Sequence, residues 1–243
     1  MTYALSCTLG PLTGSTSSAS WSAGTTTAVT SVHGPTQIGN RRDLEVATDG
    51  VYNRCYQLST QSKDDDDDTP SPTNDTNTST IRLTITPPRL SSLIPSILPP
   101  LRSLLLPHLP PHAHLHINST ITGGEEQEGE CMAAVVNSIF MAVVGDGGNA
   151  SDGWFGASTT GEYTVIVTDE KGSGNNSDDN DLEILSIHTH PKLDGNEDKI
   201  LVPSSSVFIA VKEAAEKARG EVKSFGRKVL AERDARLRKT VFA

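Results

Sequence analysis

The residues with types and spacing most suited to chemistry are His188 and His190, in the run His188-Thr189-His190-Pro191. Residues two apart on a strand share a face, so the two imidazoles would stand side by side, a donor pair that suits zinc. Asp194 is the nearest carboxylate downstream and the candidate third ligand. Two histidines at a strand end are more often surface or internally satisfied residues, so no metal is expected. Asp64–Asp68 are five consecutive aspartates, but they lack the spaced ligands and the glycine of a calcium loop. Like charges repel along such a run, and solvation is its expected state. Cys7, Cys55 and Cys131 are odd in number and contain no C-x-x-C pair, so neither a disulfide framework nor a zinc ribbon is implied. Reduced thiols, as in the cytosol or nucleus, are expected.

The net charge of −10 over 243 residues argues against a free-standing nucleic-acid binder held by phosphate contacts. The charge is uneven. From Lys212 onward there are ten Lys and Arg against five Asp and Glu, so a basic tail helix follows an acidic body. Only 35% of residues are hydrophobic and 5% aromatic, with 14 prolines and 20 glycines, which fits one domain plus inserted sequence that joins no core. The most apolar region, Leu90–Leu109, is cut by prolines and carries Arg102, so no membrane span is expected. The opening MTYALSCTLG lacks a basic start and a long apolar run, so it does not read as a signal peptide.

Positioning any site falls to the following elements. Ser18–Ser22 and Thr25–His33 alternate around Ala23-Gly24 and predict a hairpin ended by Gly34-Pro35. Asp43–Val46 offers a short strand. Gln61–Thr80 predicts a disordered insertion. Thr80–Thr86 alternates as a strand closed by Pro87-Pro88. Leu90–Leu106 has helical spacing, but Pro95, Pro99 and Pro100 should break it at several points. His112–Thr122 alternates with Leu115, Ile117 and Ile121 on one face and His114, His116 and Asn118 on the other. Cys131–Val144 is apolar nearly all round and predicts a buried helix. Trp154–Thr168 gives one or two strands broken by Gly161, and Leu182–Thr189 gives another. Val207 to about Leu237 is the longest helix, with Val211, Ala215, Ala218, Val222, Phe225 and Val229 as one stripe and Ser204–Ser206 offering the N-cap. The predicted class is α+β.

The order of these segments resembles the RNase PH family. Ser18-Ala19-Ser20-Trp21, Gly24-Thr25-Thr26-Thr27-Ala28-Val29 and Val32-His33-Gly34-Pro35 resemble that family's opening hairpin. Val136-Asn137-Ser138-Ile139-Phe140-Met141-Ala142-Val143 resembles its buried helix, and Leu185-Ser186-Ile187-His188-Thr189 the late strand of exosome ring subunits. Ile81–Pro87 and Leu104–Ile117 are similar to the strand before the first long helix and to the exit from that helix. The resemblance implies a ribosomal protein S5 domain 2-like, RNase PH-type single domain over residues 1–60 and 80–240. A disordered acidic insertion at 61–79 and an acidic loop at 170–181 would interrupt it.

Active members of this family cleave RNA by phosphorolysis, which needs arginines to gather phosphate and RNA and an acid to assist the leaving oxygen. The resemblance puts one arginine near Leu98, where Arg102 is the nearest base, and another at the entry to the buried helix. That entry reads Gly123-Gly124-Glu125-Glu126-Gln127-Glu128-Gly129-Glu130, with four glutamates and no arginine. Carboxylates at a phosphate site repel the substrate, each screened pair costing on the order of 1 kcal/mol. The family's aspartates would follow the strand Tyr163–Thr168, where Asp169, Asp178, Asp179 and Asp181 lie in a low-complexity stretch.

The expectation is therefore a non-catalytic structural subunit of the RNA exosome ring, supporting 3′–5′ RNA processing and decay including rRNA maturation. It would have no cofactor and no metal, in the nucleus and nucleolus and also the cytoplasm. Its partners would be other RNase PH-like ring subunits and cap subunits, with RNA met weakly or indirectly through Arg41, Arg42, Arg82, Arg89 and Arg102. Two enzymatic alternatives stay open. One is an active phosphorolytic subunit using Arg102 and Asp178–Asp181. The other is a zinc metalloenzyme, because His188-Thr189-His190-Pro191 resembles the metal motif of the JAMM deubiquitinases, although no aspartate follows Ser204–Ser206 as that motif requires.

Overall fold

The opening residues hold a strand that the sequence reading does not assign: β1 (Leu5–Leu9) pairs antiparallel with β2 (Ser17–Ala23). The computed structural model describes residues 4–37, 79–110, 113–124, 127–145, 154–160, 163–169, 182–190 and 205–241. The acidic insertion (but for Ser79), the acidic loop at 170–181 and the candidate strand at Asp43–Val46 lie outside the described residues.

The expected hairpin is formed by β2 and β3 (Thr26–Gln37), turning at Gly24 with φ +62°. Gly34-Pro35 does not end β3. The strand passes through an irregularity there and resumes pairing with Thr36 opposite His114. Gly34 has φ +107°, and a Cβ on it would sit 2.5 Å from the His114 carbonyl oxygen, so only glycine fits this close approach. β4 (Thr80–Thr86) and β5 (Ala113–Thr122) complete a sheet ordered β1-β2-β3-β5-β4, with β4 and β5 parallel. Their connection is a 3-10 turn (Pro88–Leu93), helix α1 (Ile94–Leu105) and a short 3-10 turn (Leu106–His108).

Helix α1 corrects the expectation that prolines break this segment. Pro95 stands in the first turn, where its missing N–H would have no partner anyway. Pro99 and Pro100 lie inside the helix and remove backbone donors. Burial of Ile97, Leu98, Leu101 and Leu105 against the sheet outweighs that loss, at about 1.5–3 kcal/mol for each fully buried side chain.

Helix α2 (Glu128–Gly145) is the predicted buried helix, with thirteen of its residues buried. By length and composition it is apolar enough to cross a membrane, but 78% of it is buried inside the fold, where it packs against β2 and β3 of the first sheet and β6 (Phe155–Thr160) of the second. The second sheet is antiparallel, ordered β6-β7-β8, with β7 (Tyr163–Asp169) and β8 (Leu182–Thr189). Two inward polar contacts join α2 to the sheets. Thr30 shares hydroxyl hydrogen bonds with Ser119 (2.7 Å) and Ser138 (2.6 Å). The Asn137 amide donates to the Ala157 carbonyl (3.0 Å) and accepts from the Ala157 N–H (2.8 Å). Asn137 thus pairs with the edge of β6 as a further strand would.

The long C-terminal helix is α3 (Ser205–Lys217), a π-helical turn (Ala218–Lys223) and α4 (Ser224–Val241). The first four residues of the predicted stripe, Val211, Ala215, Ala218 and Val222, are buried, while Phe225 and Val229 pack at the margin. Phe225 meets Trp21 edge to face at 5.4 Å. Among the described residues the buried apolar side chains of both sheets and α1 to α3, Ala113 apart, form one continuous core.

Candidate functional site

The start of α2, the end of β8 and the middle of α3 converge on a cavity of about 960 Å³. A helix N-terminus offers free N–H groups and a partial positive charge that suit an anion. Here the first turn supplies its own negative charge, Glu128 and Glu130. Thr26 donates a hydrogen bond to the Glu130 carboxylate at 3.3 Å. Glu213 and Glu221 of the C-terminal helix face the same cavity, and Lys217 is the one lysine or arginine in its described lining. The field is felt by Cys131, whose thiol is pushed up to about 11 by burial first and then by Glu130 and Glu128, with Arg89 opposing.

At one rim of this cavity stands a cluster that sequence reasoning missed. His188 and His190 lie side by side as expected, their ring centroids 4.8 Å apart. Glu128, sixty residues earlier, joins them: one ligand atom from each of the three lies within 4.8 Å of the other two. His188 Nδ1 is 2.9 Å from Ser96 Oγ of α1. His190 Nε2 is 2.7 Å from Thr164 Oγ1 of β7, and Thr164 donates its own proton to the Gly129 carbonyl at 3.3 Å. Nδ1 of the same ring is buried and without a hydrogen-bond partner. Burial, then the neighbouring His188, lowers the His190 pKa, while Glu128 opposes the shift. Gly129 makes the close packing possible, since a Cβ there would lie 2.8 Å from His190 Nε2. No sequence signal links Glu128 to the histidines; strand order alone brings them together. Asp194, the ligand the sequence suggested, lies outside the described residues.

Of the expected RNA-contacting arginines, the three among the described residues, Arg82, Arg89 and Arg102, lie on three different elements. Arg41 and Arg42 lie outside the described residues, as do Glu125, Glu126 and Asp178–Asp181. Arg82 is on β4, on the face turned away from the core, beside His116, which pairs with both Arg82 and His33. Burial and then the Arg82 charge lower the pKa of His114 and of His116. Arg89 is in the 3-10 turn and Arg102 in the last turn of α1. Leu98, where the resemblance would seat a phosphate-binding arginine, is buried, and Arg102 follows it by one turn. Among the described residues, none of these arginines lines the cavity.

No family model matches the sequence. No curated protein matches it either. Among solved structures the chain is similar to rice (Oryza sativa) Rrp46, with a TM-score of 0.56 at 13% identity, over 95% of this chain and 96% of that one. The fold is RNase PH-like. At that identity the likeness carries the architecture and leaves the side chains to speak for themselves. Within the RNase PH-like fold, Val136-Asn137-Ser138 sits where helix meets both sheets: Asn137 pairs with β6 and Ser138 with β3. The motif that carried the resemblance is thus a packing device.

Proposed function

We propose that this chain is a structural, non-catalytic RNase PH-like subunit of an RNA exosome ring, where it supports 3′–5′ RNA processing and decay, rRNA maturation included. The observation that carries this reading is the charge of the cavity at the start of α2. Phosphorolysis must collect orthophosphate and an RNA end in one place. Glu128, Glu130, Glu213 and Glu221 face that place against Lys217 alone. Repulsion of phosphate by several carboxylates, each on the order of 1 kcal/mol, opposes binding before chemistry begins.

Two surface features support assembly with neighbours. β8 has no described strand on its outer edge and exposes Ile184 and Ile187, 44% and 50% accessible. Phe208 and Ile209, at the start of α3, are 75% and 57% accessible. Exposed apolar side chains beside an open strand edge are what a partner subunit would cover. The partners in this reading are other RNase PH-like ring subunits and cap subunits, with RNA touched weakly, in the nucleus, nucleolus and cytoplasm.

The test is a 5′-end-labelled RNA incubated with the purified chain, with and without orthophosphate. No phosphate-dependent shortening is expected, together with stoichiometric co-purification of RNase PH-like subunits from cells expressing a tagged chain. Release of nucleoside diphosphates only when phosphate is present would overturn the non-catalytic reading. Absence of such partners would overturn the ring.

A further inference from the structure

We propose that Glu128, His188 and His190 form a binding site for a zinc-class divalent ion that clips the end of β8 to the start of α2. The donor set, two imidazoles and one carboxylate, suits that ion class, which bonds nitrogen at about 2.0–2.1 Å and oxygen at about 2.0–2.2 Å. Ligand atoms on a tetrahedral ion stand about 3.3 Å apart by that geometry. The three groups here already approach to within 4.8 Å of one another, so small side-chain rotations close the site.

Each histidine is also held from behind. One nitrogen of His188 faces the Ser96 hydroxyl and one nitrogen of His190 the Thr164 hydroxyl. That leaves each ring one nitrogen for an ion, with the other anchored, an arrangement that fixes ring orientation and tautomer at metal centres. The independent observation is His190 Nδ1. A buried ring nitrogen with no partner is costly to leave unsatisfied, and an ion bound there would satisfy it.

Three protein ligands leave a fourth position. Glu128 and His190 both line the acidic cavity, so that position opens toward it and accommodates water. The surrounding carboxylates draw a cation toward this rim, so the charge that opposes phosphate favours the ion. The inference does not depend on the exosome reading, since a ring subunit or a free-standing protein would hold the ion equally.

The experiment titrates zinc into the metal-stripped full-length chain against a chromophoric chelator, with cobalt(II) absorption as a second readout of coordination. One equivalent per chain is expected, with a tetrahedral cobalt band. H188A and E128Q alter accessible groups and should abolish stoichiometric binding while circular dichroism stays unchanged. T164V, which keeps all three ligands, should weaken binding by about 10–100-fold. H116A controls for the separate histidine patch on the other sheet and should bind as the parent does. Failure of the parent to bind zinc, or binding that survives H188A and E128Q, overturns the proposal. So does binding that H116A removes. The RNA assay is read separately, so either result leaves the other standing.

Discussion

Replacing Asn137 with alanine tests how α2 is fixed to the second sheet, and the structure sets the magnitude. Asn137 is 3% accessible, and its amide satisfies both the N–H and the C=O of Ala157 on the edge of β6. Alanine leaves two buried backbone groups without partners, at about 1–3 kcal/mol each. Asn137 also borders the cavity, so water can reach part of the gap, and the lower half of the range applies: a loss of about 2–4 kcal/mol. Against a typical stability of about 5–15 kcal/mol this is large but leaves the chain folded.

Asn137→Asp sharpens the test. Its carboxylate still accepts from the Ala157 N–H but sets a second oxygen against the Ala157 carbonyl. A buried carboxyl in that position has its folded pKa raised above the unfolded value of about 3.9. The stability it contributes when protonated is therefore present below that unfolded value and is lost as pH rises through the folded one. Urea unfolding followed by circular dichroism, at pH 7 and pH 5, reads both effects. N137A should lower the midpoint by about 1–2 M, and N137D should be at least as damaging at pH 7 and should partly recover at pH 5. A cost below about 1 kcal/mol for N137A, or an N137D protein as stable as the parent at pH 7, would refute the pairing of this side chain with β6.

Two further outcomes follow from the same geometry. Gly34→Ala forces a Cβ to 2.5 Å from the His114 carbonyl in a backbone with φ +107°, whereas Gly14→Ala at φ +90° meets nothing within 4 Å. Thermal unfolding should show Gly34→Ala the more damaging by about 1–3 kcal/mol, and equal costs would show that the irregularity in β3 yields. His114 and His116 have pKa values lowered by burial and Arg82. The neutral rings therefore add stability above the unfolded pKa of about 6.5 that is lost as pH falls through the lower folded values. The melting temperature should drop between pH 7 and pH 5, and H116Q should reduce that drop; an unchanged acid sensitivity would remove His116 as its source.

The sequence carried its periodic elements well. Alternation in Thr80–Thr86 and His112–Thr122 and all-round apolarity in Cys131–Val144 correspond to β4 (Thr80–Thr86), β5 (Ala113–Thr122) and α2 (Glu128–Gly145), and the strand expected at Leu182–Thr189 is β8. Such patterns are local, because a side chain two residues along a strand must return to the same face. Strand β1 is harder to read: half-buried Leu5, Cys7 and Leu9 alternate with exposed Ser6 and Thr8 over only five residues, and pairing with β2 makes them a strand. The prolines of α1 misled for the opposite reason. Their local cost was read correctly, but the burial that offsets it belongs to the sheet beneath.

The same division runs through the site. The four glutamates at the entry to α2 were visible in the sequence, and so was the side-by-side placement of His188 and His190. Their meeting was not. Glu128 reaches the histidines because β7 and β8 pair and lay the end of β8 over the first turn of α2, where Thr164 of β7 meets His190 at 2.7 Å. Patterning along a chain determines which face each residue takes within its own element. Which faces then touch depends on how the whole core closes, a long-range packing outcome that no local spacing encodes.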